Sequence, residues 1–178
     1  WCGDDGHLYD LLPIPCTGDA VTWVAGRIRQ AQDILEMQIG IENASYYVAP
    51  PGAEMSETEF IRAVIEEADC LLHLDVNNIY VNSGNFNFDP VAFMAALPLE
   101  RTCYLHMAGH FVEPDGVRVD THGADVIDPV WQLLDAAYAR VGPLPTCLER
   151  DFNIPTLADL VDEVQRIAAA QRRFVEER

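Results

Sequence analysis

Cys70-Leu71-Leu72-His73-Leu74-Asp75-Val76-Asn77-Asn78 is the stretch on which the fold turns. From Cys70 to Leu74 it is apolar apart from one histidine, the pattern of a strand in a parallel sheet covered on both faces. It then ends in an acid and two amides. In an extended chain Asp75 and Asn77 share a face. Polar side chains directly after a buried strand are costly unless a metal, a substrate or a loop network satisfies them. The plainer alternative is a set of Asx turns that only shapes the loop. His73 has the parity of Asp75 and reads as a core or barrel-lining histidine.

Three further apolar runs end the same way. They are Ile39-Gly40-Ile41-Glu42-Asn43, Cys103-Tyr104-Leu105-His106 and Thr146-Cys147-Leu148-Glu149. Helical signals separate them. Residues 19–37 carry Val21, Val24, Ile28, Ala31 and Leu35 on one face. Ser56-x-x-Glu59 is a capping box that opens a helix to about Ala68. Asp89-Pro90 and Asp128-Pro129 each pair an N-cap with Pro at the first helical position, starting helices to about Ala96 and Val141. A last helix runs from about Thr156, and residues 1–17 read as loop.

The order is α-β-α-β-α-β-α-β-α, so the strands pair in parallel through helical crossovers. The expected fold is α/β of the (β/α)8 TIM-barrel type, with residues 1–178 as a single domain holding about four βα units. A closed barrel usually takes ~250 residues, so four units suit one half of it.

In such a sheet all strand C-termini point to one face, which holds the active site. Glu42, Asp75, Asn77, His106 and Glu149 would converge there. Asp120-Thr121-His122-Gly123, in the long loop after the third run, brings a carboxylate and an imidazole at a chelating spacing. His110 lies four residues beyond His106 and reads as a substrate contact or a group that supports the ligands from behind. Glu149-Arg150-Asp151 offers two acids, one to ligate and one to act as general acid or base. The competing reading for each is local: a helix cap at Glu42-Asn43, a chance Asp and His in an exposed loop, a salt bridge of Arg150.

Composition narrows the class. The chain has 178 residues, is 49% hydrophobic and carries a formal net charge of −18 with only 11 Lys and Arg. Such a surface repels phosphate backbones, so nucleic acid is not an expected partner. No apolar run approaches the ~20 residues of a membrane span. The Cys residues at 2, 16, 70, 103 and 147 are odd in number and contain no Cys-x-x-Cys pair. They read as reduced thiols of a cytoplasmic protein. The opening Trp1-Cys2-Gly3 is expected to be part of a longer sequence.

The same segments resemble the multinuclear non-heme iron-dependent oxidative enzymes of the MbnB/TglH type. The resemblance runs through Asp10-Leu11-Leu12-Pro13-Ile14-Pro15, Gly40-Ile41-Glu42-Asn43-Ala44-Ser45-Tyr46-Tyr47 and Leu74-Asp75-Val76-Asn77-Asn78-Ile79-Tyr80-Val81. It continues through Asp89-Pro90, Leu105-His106-Met107-Ala108-Gly109-His110, Asp120-Thr121-His122-Gly123, Asp128-Pro129-Val130-Trp131 and Leu148-Glu149-Arg150-Asp151. It implies a xylose-isomerase-like barrel, of which this chain resembles strands five to eight, and a cluster of two or three irons. Glu42 then matches a bridging carboxylate. Asp75, His106 and Glu149 match the ligands of a second metal, and Asn77, Asp120 and His122 those of a third. His110 and Asp151 lie in family motifs and stand as the catalytic candidates.

The resemblance further implies oxidative modification of cysteine in a ribosomally synthesised precursor peptide, with a partner protein that presents it. A half barrel would also leave strand edges and an apolar face open to self-association or to a complementing N-terminal half. The alternatives are a divalent-metal isomerase of the same barrel type and a non-catalytic half barrel that binds a partner. A phosphodiesterase is disfavoured by the charge.

Overall fold

A computed structural model describes residues 12–49 and 51–176, together with a short antiparallel strand pair, β1 (Cys2–Gly3) and β2 (Gly6–His7). The strand pair departs from the expected opening loop, residues 12–17 follow it, and residues 1, 4, 5 and 8–11, with Asp10-Leu11 of the first family motif, lie outside the described residues.

Helix α1 (Gly18–Leu35) starts where the Thr17 hydroxyl accepts the Ala20 N–H, and it buries Val21, Ala25 and Ile28. Strand β3 is Gly40–Glu42. Helix α2 (Glu57–Ala68) opens on the expected capping box, with the Ser56 and Glu59 side chains each capping the other's backbone. Strand β4 (Leu71–Asp75) follows.

Helix α3 (Val76–Phe86) corrects the extended reading of Asp75-Val76-Asn77-Asn78. Asp75 is its N-cap, and its Oδ1 accepts the Asn78 N–H at 2.6 Å. Asparagine is a poor helix former, but this turn is paid in tertiary contacts: Val76, Asn77, Asn78 and Ile79 are all buried. Asp75 and Asn77 therefore meet the site from a strand end and a first helical turn, not from one extended face.

Helix α4 (Pro90–Ala96) is capped by Asp89, which accepts the N–H groups of Val91 and Ala92. A 3₁₀ turn at Leu99–Arg101 leads into strand β5 (Thr102–Ala108). The long loop after it contains a small antiparallel hairpin, β6 (Phe111–Val112) with β7 (Arg118–Val119). Helix α5 (Asp128–Val141) differs from expectation at its start. Its N-cap is Ile127, without a side-chain bond, and Asp128 is already helical and instead pairs with Arg166 at 3.1 Å. Strand β8 (Thr146–Glu149) and helix α6 (Leu157–Glu176) complete the described chain.

The four long-range strands form one parallel sheet in the order β3-β4-β5-β8. The order never reverses, unlike a doubly wound sheet with its switch point. It is compatible with a TIM-like or half-barrel fold.

The two faces of this sheet differ. On one, Leu72, Leu74, Leu105 and Met107 are fully buried and join residues of the helices in one apolar core. On the other, register sets Glu42 beside His73 and Tyr104, and Asp75 beside His106 and Cys147. No helix among the described residues is long and apolar enough to cross a membrane.

Candidate metal centre

Strand ends bring the first cluster together. Glu42 closes β3, Asp75 closes β4 and Glu149 closes β8, while His106 lies two residues short of the end of β5. His106 Nδ1 stands 3.2 Å from Glu42 Oε1 and 3.3 Å from Glu149 Oε2. Asp75, His106 and Glu149 each offer a ligand atom, all within 4.8 Å of one another.

The second cluster comes from the loop after β7. His122 Nε2 lies 2.9 Å from Asp120 Oδ1. His122 Nδ1 lies 3.1 Å from Asp151 Oδ2 and 3.4 Å from Glu149 Oε2. His122 thus touches both clusters. Its backbone has φ of +48°, a conformation rarely held by a residue with a side chain and found most often where surrounding structure enforces it. The Asp151 N–H donates to the His122 carbonyl at 3.0 Å, tying this turn to the segment after β8.

Asn77 joins the second cluster through Asp120, to which its Nδ2 donates at 2.7 Å, while its Oδ1 faces His110 Nδ1 at 2.9 Å. His110 is buried behind it against the Tyr80 ring. All nine residues singled out in the sequence therefore lie in one connected arrangement. His110 is its innermost member and touches only Asn77 among the others in these contacts. Asp151 is its most open, with a side chain 64% exposed.

The electrostatics are those of a place short of positive charge. Burial pushes Asp75 far above the ordinary carboxylate range; the charges of Glu42 and Asp120 add to this, while the Asn78 N–H and His106 oppose it. Burial also acts on Glu42, but the His106 hydrogen bond and the charges of His73 and His106 outweigh it and hold Glu42 low. For His106, burial is overcome by Glu42 and Glu149, and its pKa rises. His122 rises to about 9, chiefly through its contact with Asp120. Burial and Arg118 keep His110 low, so it favours the neutral imidazole.

The donor set fits a metal. Asp75 is fully buried, and its Oδ2 has no hydrogen-bond partner. His122 Nε2, although close to Asp120, makes no aligned hydrogen bond. Buried oxygen and nitrogen donors converging without satisfying one another are costly unless a cation lies between them. Carboxylates, imidazoles and an amide suit iron or manganese better than a thiolate site would.

Several contributors were not visible as such in the sequence. Asn43 is a buried clamp between strands: its Nδ2 donates to the Asp75 carbonyl at 2.8 Å and its Oδ1 accepts the Asp75 N–H at 3.0 Å. Ser45 donates to Asp120 Oδ2 at 2.9 Å, and the Asp120 N–H donates to the Tyr47 hydroxyl at 3.0 Å. The only signal for them is a polar run directly after a strand. Gly109 is explained by space, since a Cβ there would collide with the Ala124 carbonyl. Beside Glu42 opens a mainly apolar cavity of about 210 Å³, lined by Pro13, Ile14, Cys16, Tyr46, Glu57 and Phe60 among others.

Fold and site together define a parallel α/β protein with a histidine–carboxylate cluster at the C-terminal ends of its strands. The family model for the RiPP precursor modification enzymes MbnB/TglH/ChrH matches residues 1–172, and the chain belongs to that family. A UPF0276 protein of Nitrosospira multiformis is 61% identical over 176 residues, covering 99% of this chain and 62% of that protein. UPF0276 proteins of Alcanivorax borkumensis and Pseudomonas aeruginosa are 58% and 55% identical, covering 98% and 97% of this chain. The chain spans about 60% of the length of these curated relatives.

Proposed function

We propose that this chain carries the metal centre of an iron-dependent oxidative enzyme that modifies cysteine residues of a ribosomally synthesised precursor peptide. The observation that carries the reading is the buried Asp75 carboxylate, with an unpartnered oxygen, at the meeting point of His106 and Glu149. Family membership supports the peptide substrate, and a peptide-presenting partner protein belongs to the same proposal.

Glu42 would add a further carboxylate to the set that holds the irons. Asp75, His106 and Glu149 would hold one of them, and Asn77, Asp120 and His122 another, with two or three irons in all. The irons, when bound, supply Lewis acidity toward a substrate thiolate and electron exchange with oxygen. The chain's own residues do the rest. Asp151, exposed beside His122, is placed to take a proton at Oδ2 from an incoming thiol. His110 holds the Asn77 amide from behind and so positions a ligand. Asp120, fixed by Ser45 and Tyr47, aims His122. We place these residues in a TIM-type barrel of which this chain is one part, working in the cytoplasm.

The test is metal content by elemental analysis after anaerobic purification. Two or more irons per chain are expected, with loss of at least one in Asp75→Ala and in His122→Ala. A wild-type chain without metal sinks the proposal. Oxygen uptake with a cysteine-containing precursor peptide separates the oxidative reading from a divalent-metal isomerase, which consumes none.

A further inference from the structure

The ligand-bearing face of the sheet holds one more imidazole than the centre above uses. His73 sits in the middle of β4, level with Glu42 of β3 and two residues before Asp75. Its ring meets that of His106 edge to face, with centroids 3.9 Å apart and planes at 79°. The Tyr104 ring closes another side at 5.2 Å.

Ring packing accounts for the carbon edges of His73 but not for its polar atoms. Nε2 is buried and has no hydrogen-bond partner. An imidazole nitrogen sealed from water without a donor or acceptor is disfavoured. A leucine would fill the same space without that penalty. Meanwhile Glu42, His73 and His106 each offer a ligand atom, and the three atoms lie within 4.8 Å of one another. Imidazole nitrogens with a carboxylate oxygen are a common donor set for first-row divalent metals, with open positions left for water.

We propose that Glu42, His73 and His106 form a further divalent-cation position, one step deeper along the strands than the Asp75–His106–Glu149 cluster, with His73 as the ligand that distinguishes it. The two positions share His106. An ion at one therefore competes with an ion at the other unless His106 uses both ring nitrogens. The deeper position does not need Asp75, Glu149, Asp120 or His122. It rests on the metal-enzyme reading only in sharing Glu42 and His106.

Cobalt(II) titration of the metal-free chain tests it, read by visible d–d absorption and by calorimetric stoichiometry. Asp75→Asn combined with His122→Ala weakens both clusters of the proposed function and leaves the deeper position intact. One cobalt per chain is expected to remain in this double variant, and to be lost or weakened at least about 10-fold when His73→Leu is added. His73→Gln, which keeps a polar side chain of similar reach, is the companion variant, and far-UV circular dichroism checks that each is folded. Retained binding and an unchanged spectrum in Asp75→Asn/His122→Ala with either His73 substitution would overturn the inference and leave the proposed function standing. Complete loss of cobalt in Asp75→Asn/His122→Ala alone does the same. A wild-type chain that takes up no cobalt overturns both.

Discussion

Leu74 and Asp75 are neighbours in β4, both fully buried, and they do opposite things. Leu74 points into the apolar core among the helices. Asp75 points across the sheet to His106 and Glu149, with one oxygen unsatisfied. Strand alternation puts them back to back. One face holds the fold together, and the other keeps polar groups in a place where the fold alone does not reward them. Real proteins break the rule of satisfied burial mainly where function requires it.

The sharpest way to break this comparison is to change both neighbours. Leu74→Ala removes core atoms that surrounding helices cannot fully replace, so a loss of about 3 kcal/mol of stability is expected. Asp75→Asn keeps the acceptor for the Asn78 N–H and mimics the protonated acid that burial favours. In the metal-free chain it should change stability by less than about 1 kcal/mol, while iron binding falls. Urea denaturation of the two metal-free variants checks it. An Asp75→Asn loss as large as that of Leu74→Ala would mean that the carboxylate serves the fold.

How much of this was legible depended on range. The four strands could be read because apolar runs and helix caps are local, and most candidate ligands could be placed because they sit at a strand end or a short chelating spacing. Helix α3 was hidden by Asn77 and Asn78, whose weak helix propensity was overridden by burial in a tertiary setting. The role of Asp128 was hidden because its competitor for the cap, Arg166, is distant in sequence. The partners of Asn43 and His73 were hidden for the same reason. Adjacency of β3, β4 and β5, not spacing, gives them their partners.

Asn43 sharpens the comparison further, because it is polar yet belongs to the structural side of the argument. It exchanges two hydrogen bonds with the backbone of Asp75, and its carbonyl accepts from Asn78 Nδ2 at 3.0 Å. Asn43→Ala would remove the side-chain acceptor of the buried Asp75 N–H and one of the donors to its carbonyl, at about 2 kcal/mol or more. It would also let Asp75 drift from His106. The expected outcome is a lowered denaturation midpoint together with weakened iron binding, which neither Leu74→Ala nor Asp75→Asn should give in that combination. Reduced stability with unchanged iron affinity would show that the clamp does not position the ligand.

The smallest expected effect lies beside the site, at the cavity next to Glu42. There Tyr46 donates to Glu57 Oε2 at 2.7 Å. Burial raises the Glu57 pKa from 4.5 to about 6, against the lowering effect of the Tyr46 hydrogen bond. The folded chain therefore holds the Glu57 proton more tightly than the unfolded chain does. Below pH ~4.5 this contribution to stability is fully present, and it is lost as pH rises through about 6. At 1.36 kcal/mol per pKa unit the contribution is about 2 kcal/mol. Glu57→Gln keeps an acceptor for Tyr46 and cannot ionise, so its stability should match wild type near pH 4.5 and exceed it at pH 7. Parallel pH dependences for the two proteins would show that folding leaves the Glu57 pKa unshifted, so that the cavity wall already carries this charge well below pH 6.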